Sequence, residues 1–210
     1  MKPESRDLLT KSLHLIPLGL EPAKLSEAIE VLLRYADFLL DYNEKVNLVG
    51  AKTEEDFITK HLVDSLAALP LLPRKGRLAD VGSGGGLPGI PLSLFWDGPV
   101  TLIESKNKKA AFLNSAAKHL ALKNLKVLCS NAAEVAEKFD AVVTRAFSDI
   151  HHALKLCIRM SRPGTTFFFY KGTREAITAE LSTEDPKNYS IHPLSVPFLN
   201  AERHMVKWPK

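Results

Sequence analysis

The sequence predicts an α/β fold in which a mostly parallel sheet follows an N-terminal helical segment. From residue 77 onward, short and nearly continuous apolar runs alternate with helical patterns. The first of these runs ends in Asp80 and leads into a burst of glycines at residues 82–89, where a helix can begin. Apolar strands separated by helices indicate a parallel sheet that is covered on both faces.

Residues 1–70 are predicted to form the helical extension, and residues 71–210 the domain that contains the sheet. Apolar residues recur at helical spacing over residues 25–40. Thr53 is the predicted N-cap of a second helix, which ends before Pro70. The three residues that follow Thr53 are acidic, as is favourable in the first turn of a helix. The polar stretch between these helices, residues 42–49, is either an ordinary connection or a loop that closes over the glycine turn.

The rest of the chain is predicted to alternate between strands and helices. Strands are predicted at residues 77–81, 100–104, 125–129, 140–144 and 165–170, and helices at 89–96, 107–122, 132–138, 150–160 and 173–182. The last two predicted strands, 188–196 and 202–208, have no helix between them. A parallel sheet with this ending predicts a terminal antiparallel strand.

The glycine turn fits two cofactor motifs. Residues 84–89 fit G-x-G-x-x-G, the dinucleotide fingerprint. Residues 80–86 fit D-x-G-x-G-x-G, the first motif of S-adenosylmethionine (SAM) methyltransferases. Both motifs need an acidic residue at the end of the next strand to hold ribose hydroxyls, and Glu104 stands there. Only the second motif explains Asp80, whose carboxylate can act on the cationic end of SAM. The terminal antiparallel strand also favours it, and a glycine turn without a ligand is the third interpretation.

Composition and charge restrict the class of protein. The chain has 210 residues and a net charge of +4. Residues 1–60 hold 8 Lys and Arg against 11 Asp and Glu, whereas residues 61–210 hold 20 against 13, which suits a polyanion such as RNA. Cys129 and Cys157 lie in apolar patterns, so we expect reduced core cysteines and no metal site. No signal-peptide pattern or long apolar run is present, so we expect a cytoplasmic protein without a membrane span.

Several further segments match one protein family in the same order. They are Tyr42 with Asn47-Leu48, His61–Leu66, Asp80–Leu92, Glu104–Leu113, Thr144–Phe147, Lys171-Gly172 and Glu202–His204. With these segments, the chain from about residue 25 to its end resembles the GidB/RsmG family, the bacterial methyltransferases of small-subunit ribosomal RNA. The resemblance implies a Rossmann-like SAM-dependent methyltransferase fold. It also implies transfer of a methyl group from SAM to N7 of one guanine in 16S rRNA.

The resemblance further implies roles for individual residues. The positions that would bind the cofactor are Gly82, Gly84, Leu87, Glu104, Ala132, Ala133 and Arg145, with Leu87 near the methionine end and the two alanines at the adenine. Asn47 and Arg145 are the candidate catalytic residues. The candidate RNA-binding residues are Lys108, Lys171 and Arg203. The sequence departs from the family pattern at Asn131, where an arginine is frequent, and at Glu104, where Asp is more frequent.

The mechanism leaves two other functions open. N7 of guanine carries a lone pair and no proton, so the reaction needs no general base whose presence would reveal an enzyme. A SAM-binding regulatory module without catalysis therefore fits the same residues. An NAD(P)-dependent oxidoreductase is the other alternative, although no Tyr-x-x-x-Lys pair is found. The expected partner is 16S rRNA or the small ribosomal subunit, and the expected state is a monomer.

Overall fold

The computed structural model describes residues 1–210 and contains one seven-stranded sheet in the order β3-β2-β1-β4-β5-β7-β6. The strands are β1 (Leu78–Val81), β2 (Val100–Glu104), β3 (Leu125–Cys129), β4 (Ala141–Arg145), β5 (Thr166–Lys171), β6 (Ser190–Pro193) and β7 (His204–Pro209). Strands β1 to β5 pair in parallel, and β7 pairs antiparallel with both β5 and β6. The predicted mostly parallel sheet with an antiparallel terminal strand is confirmed.

Eight α-helical segments surround the sheet. They are α1 (Pro3–Leu15), α2 (Pro22–Asn43), α3 (Glu54–Phe57), α4 (Asp64–Leu66), α5 (Gly89–Ser93), α6 (Asn107–His119), α7 (Ile150–Cys157) and α8 (Arg174–Glu180). A π-helical segment, Ile58–Val63, joins α3 to α4. Thr53 caps α3 as predicted, because its hydroxyl accepts a hydrogen bond from the Asp56 amide at 3.1 Å.

Two of the predicted strands and helices from residue 77 onward are clearly shorter in the structure, and most of the others differ by one to three residues at an end. The predicted helix at 132–138 is a single 3₁₀ turn, Ala132–Glu134. Val135 then adopts an extended conformation and buries its side chain, which ends the helix. The predicted strand at 188–196 shortens to Ser190–Pro193, since residues Pro186–Asn188 form a 3₁₀ turn.

The alternation of side chains along the strands divides the core into two layers. Leu78, Leu102 and Val143 belong to a cluster of 39 buried residues that also takes in the N-terminal helices, α5 and α6. Ala79 and Val142 point to the other face and belong to a second cluster of 16 buried residues, which includes residues of α7 and α8. The N-terminal helices thus pack on one face of the sheet, and a domain boundary near residue 70 stays a prediction.

The prediction that both cysteines lie in the core is wrong for Cys129. Cys157 is buried in the second layer, but Cys129 is exposed and its thiol donates to the Asn107 side chain at 3.0 Å. The reason is that β3 forms an edge of the sheet, so its residues are only partly covered. No helix of the structure combines the length and apolar character that crossing a membrane requires.

Candidate active site

The strand order reverses beside β1, whose neighbours are β2 and β4. In open α/β sheets, ligands bind outside the carboxyl ends of the strands at such a switch point. The residues at or just after the carboxyl ends of β1, β2 and β4 are the glycine loop (residues 82–89), Glu104-Ser105 and Arg145-Ala146. Every one of these segments carries residues that the sequence assigned to the site.

The glycine loop needs glycine for two distinct reasons. Gly82 and Gly84 adopt φ values of +74° and +56°, which favour glycine. At Gly82 an added Cβ would also overlap the ring of Phe147, which lies directly against the backbone. At Gly84 an added Cβ would meet only the Gly82 carbonyl oxygen, at 3.8 Å. Gly84 therefore leaves open space beside the loop, where another molecule can approach.

The Asp80 carboxylate supports the loop from behind. Its Oδ2 atom accepts a hydrogen bond from the Gly89 amide at 2.9 Å, at the start of α5. The side chain is fully buried, its Oδ1 atom has no partner, and burial raises its pKa to about 7. Asp80 lines none of the three cavities described below, so its contact is with the helix start.

Glu104 ties the end of β2 to the glycine loop. Its Oε2 atom accepts from the Gly84 amide at 2.9 Å, and its Oε1 atom accepts from the Lys106 amide at 2.8 Å. These two bonds fix the carboxylate in one orientation. Each carboxylate oxygen can accept a further hydrogen bond, so the group remains able to bind hydroxyls.

A cavity of about 500 Å³ opens beside these residues, and we call it the glycine-loop cavity. Its lining includes Val81, Gly82, Gly84, Ile103, Glu104, Ser130, Asn131, Ala132, Phe147, His152 and Leu156. The apolar residues suit a flat ring, and Glu104 suits ribose hydroxyls, so the cavity fits an adenine nucleoside such as that of SAM. Among the predicted cofactor residues, Leu87, Ala133 and Arg145 do not line it.

A second cavity, of about 420 Å³, lies beyond the end of β4, and we call it the arginine pocket. Its lining residues are Lys60, His61, Asp64, Arg145, Ala146, Tyr170, Lys171, Gly172 and Arg203. Four of these side chains are cationic and one is a carboxylate. Such a surface suits a polyanion, and it brings together Lys171 and Arg203, two of the predicted RNA-binding residues.

Arg145 is held at the wall of this pocket by several acceptors. Its Nη1 atom donates to the Asp64 carboxylate at 3.1 Å and to the Lys60 and His61 carbonyls at 3.3 and 3.4 Å. Its Nη2 atom lies 3.2 Å from His61 Nδ1. Burial and the Arg145 charge lower the pKa of His61 to about 4, so a neutral imidazole accepts this bond. Both carbonyls belong to the π-helical segment, and π-helical turns frequently occur at functional sites.

The predicted RNA-binding residues and Asn47 differ in location and in whether their charge is paired. The Lys171 ammonium contacts both Glu180 carboxylate oxygens at 3.0 Å, so its charge is already paired. Lys108 and Asn47 are exposed, and neither lines the arginine pocket or the glycine-loop cavity. The other asparagine of the same stretch, Asn43, organises the loop instead, as its side chain bonds to Leu48 and Val49.

A third cavity, of about 230 Å³, shares lining residues with both of the others, and we call it the connecting cavity. It shares Gly82, Gly84 and Lys109 with the glycine-loop cavity and His61 and Arg145 with the arginine pocket, and Ala146 lines all three cavities. Leu87 lines this connecting cavity, together with Leu48 and Val49 from the loop that follows α2. The interpretation of residues 42–49 as a loop over the glycine turn agrees with this packing.

His61, Asp64 and Phe147 lie at the site although the sequence assigned none of them an individual role. Asp64 does pair with its neighbours, yet it does so inside the arginine pocket. The spacing of His61 and Asp64, three residues apart on one helical turn, was a usable signal for a shared face. Phe147 carried no such signal, because its contact with Gly82 depends on how β4 lies beside β1.

Solved structures of similar shape are methyltransferases. An O-methyltransferase from Bacillus cereus in complex with SAH superposes with a TM-score of 0.59 and 17% identity, covering 84% of this chain and 91% of that one. A ribosomal protein L11 methylase from Lactobacillus delbrueckii subsp. bulgaricus gives a TM-score of 0.56 and 14% identity, with 70% and 77% covered. This likeness shows that the chain has the fold of SAM-dependent methyltransferases.

The relatives in sequence are more specific. A family model described as rRNA small subunit methyltransferase G matches residues 28–206. Proteins called ribosomal RNA small subunit methyltransferase G are 44% identical in Brachyspira hyodysenteriae, over 84% of this chain and 88% of the relative, and 36% identical in Treponema pallidum, over 89% and 88%. The chain belongs to the GidB family of these methyltransferases. The resemblance noted from sequence is confirmed, and the dinucleotide interpretation of the glycine loop is set aside.

Proposed function

We propose that this protein transfers a methyl group from SAM to N7 of one guanine in 16S ribosomal RNA. The observation that carries the proposal is the connecting cavity, since it links a nucleoside-sized cavity to a cationic pocket. A methyl donor and an RNA base held in the two larger cavities would meet beside the glycine loop. The family membership supports the choice of small-subunit rRNA as substrate.

The cofactor would be held by the residues that line the glycine-loop cavity. Gly82 and Gly84 allow close approach to the backbone, Glu104 accepts from hydroxyls, and Ala132 offers a small apolar wall. Asn131, where the resemblance noted from sequence implies a frequent arginine, lines the same cavity and would offer an amide to a base edge. Bound SAM supplies an electrophilic methyl group on a sulfonium ion.

The protein's part in the reaction is mainly to orient the guanine and the methyl donor relative to each other. N7 of guanine would attack through its lone pair, the N7–carbon bond would form as the carbon–sulfur bond of the methyl donor breaks, and no proton would leave. No general base is therefore required, and neutral His61 is not needed as one. Orientation of this kind contributes up to about 7–11 kcal/mol in favourable intramolecular reactions. Arg145 would orient the base, and its position in the lining of both the arginine pocket and the connecting cavity supports this role.

RNA would be held by the basic residues around the pocket. Arg203 and Lys171 line the pocket itself, whereas exposed Lys108 would contact a phosphate farther along the chain. Asn47 would bond the edge of a base that is turned out of its stack. We further propose a cytoplasmic monomer, because the substrate is the ribosomal subunit and one chain carries both cavities.

The test is to incubate the protein with tritiated SAM and small ribosomal subunits that lack their own methylation, and then to map the label. One labelled guanine, methylated at N7, is the expected result. SAM binding without any label would favour a regulatory module or another RNA substrate. Absence of SAM binding would contradict the cofactor assignment itself.

A further inference from the structure

Asp64 contributes the one carboxylate among the residues that line the arginine pocket. Its side chain is only 7% exposed, and both of its oxygens are engaged. Oδ2 accepts from Arg145 Nη1 at 3.1 Å, and Oδ1 accepts from Arg203 Nε at 3.1 Å. One buried carboxylate therefore joins Arg145, the last residue of β4, to Arg203, which lies just before β7.

The two arginines depend on this carboxylate to different degrees. Arg145 has three further acceptors on the π-helical segment, two carbonyls and the His61 ring. The guanidinium of Arg203 has one other acceptor, the carbonyl of the neighbouring Glu202 at 3.0 Å. Arg203 is also the more exposed of the two, at 28% against 14%. Loss of the Asp64 charge would leave Arg145 in place and let Arg203 move into solvent.

A negative charge in this position runs against RNA affinity. The pocket presents four cationic side chains, and on charge alone a carboxylate among them weakens attraction to phosphates. Its bonds, by contrast, hold two guanidinium groups side by side that would otherwise repel one another. Each of these contacts is a charge-assisted N–H···O hydrogen bond, and such bonds are directional, so they set geometry as well as charge.

We infer that Asp64 is a positioning residue for methyl transfer: it orients Arg203 against Arg145 so that both face the target nucleotide. The inference rests on the proposed function and goes beyond it by assigning a role to an acidic group. Asp64 touches neither the glycine loop nor the glycine-loop cavity, so it acts through the two arginines.

The test compares Asp64→Asn with Asp140→Asn. Asp140 also pairs with an arginine, Arg162, but it lies at the opposite end of β4, so its variant controls for loss of a carboxylate–arginine pair. For Asp64→Asn we expect kcat for small-subunit methylation to fall tenfold or more. SAM affinity should stay unchanged, and RNA binding at low salt should be equal or tighter. Asp140→Asn should keep its kcat.

Two outcomes of these assays would overturn the inference. The first is a folded Asp64→Asn protein that binds SAM and methylates at the normal rate. The second outcome concerns the double variant. Adding Arg203→Gln to Asp64→Asn should lower kcat less than a further twofold. If it lowers kcat as much as Arg203→Gln does in the wild-type protein, the two residues act independently. Failure of the wild-type protein to methylate would contradict the proposed function instead.

A measurement on the wild-type protein keeps the inference testable if Asp64→Asn does not fold. The Arg203 Nε–H group should exchange with solvent at least tenfold more slowly than that of exposed Arg34, as read by NMR. Equal exchange rates would show that Asp64 does not hold Arg203. This result is independent of any assay of methylation.

Discussion

At Gly84 the backbone adopts a left-handed conformation beside open space. A side chain added there would strain the backbone and would also enter the space where a ligand can bind. Gly19 adopts nearly the same φ, +61° against +56°, and a Cβ there would meet nothing within 4 Å. The two glycines differ in location, since only Gly84 lines the glycine-loop cavity. They form a matched pair for testing the cofactor site.

For Gly84→Val we expect SAM affinity to fall more than tenfold, because the added side chain would occupy the cavity. Gly19→Val should show only the backbone cost, about 1–2 kcal/mol of unfolding free energy. Calorimetric titration with SAM and urea unfolding measure the two effects. Equal SAM affinities in the two variants would remove Gly84 from the cofactor site.

Asp80 is the residue whose burial has the clearest consequence for stability. Its pKa in the folded protein is about 7, against an ordinary value of 3.8, because burial disfavours the charged form. The folded protein therefore holds a proton that the unfolded chain releases. The stability that this proton confers is complete below about pH 4 and is lost as the pH rises through 7.

We expect the Asp80→Asn protein to gain stability relative to the wild type between pH 4 and pH 8. The difference between the two pKa values corresponds to about 4 kcal/mol. Asparagine can still accept from the Gly89 amide but does not titrate. Urea unfolding of both proteins without SAM, at the two pH values, is the measurement. A constant difference between them would mean that the Asp80 carboxyl is ionised throughout.

At the scale of an element, the loop after α2 covers the glycine loop and is held by one asparagine. Asn43 Oδ1 accepts from the Leu48 and Val49 amides at 2.7 and 3.0 Å, and its Nδ2 atom donates to the Val49 carbonyl at 3.1 Å. Leu48 and Val49 would contact a Cβ placed on Gly85, at 3.5 and 3.3 Å. Asn43 therefore connects the end of a helix to the wall of the connecting cavity.

The two asparagines of this stretch should respond differently to substitution. We expect Asn43→Ala to lower the unfolding free energy by about 1–3 kcal/mol, because it leaves partly buried amides unpaired. Asn47→Ala should change stability by less than about 0.5 kcal/mol, since its side chain is exposed, but should slow methylation. Chemical unfolding and the small-subunit assay separate these roles. Normal activity of Asn47→Ala would exclude it from the reaction.

At the scale of the whole molecule, basic charge collects in the part of the chain that forms the site. Many of these charges are paired, however: Arg145 and Arg203 share Asp64, and Lys171 pairs with Glu180. Only cations that meet phosphates contribute to the salt dependence of RNA binding. We therefore expect the salt dependence of RNA binding to change when an exposed lysine near the site is removed.

Two lysines of α6 test this expectation. Lys108 lies in the first turn of the helix, nearest the site, and Lys118 lies in its last turn, about 15 Å away along the axis. Lys108→Gln should reduce the slope of log affinity for RNA against log salt by about 1. Lys118→Gln should leave it unchanged. The same slope for Lys108→Gln and wild type would place Lys108 outside the RNA interface.

The sequence by itself determined the βα alternation, the antiparallel ending, the Thr53 cap and the glycine loop, along with the family. Each of these features depends on residues that are close together in the sequence, through a periodicity or a short motif. Only the tertiary structure decided that Asp64 joins Arg145 and Arg203, which are 81 and 139 residues away along the chain. It also decided that Asn43 holds the loop and that Leu87 lines the connecting cavity. Such contacts depend on strand order and side-chain packing, which local patterns do not specify.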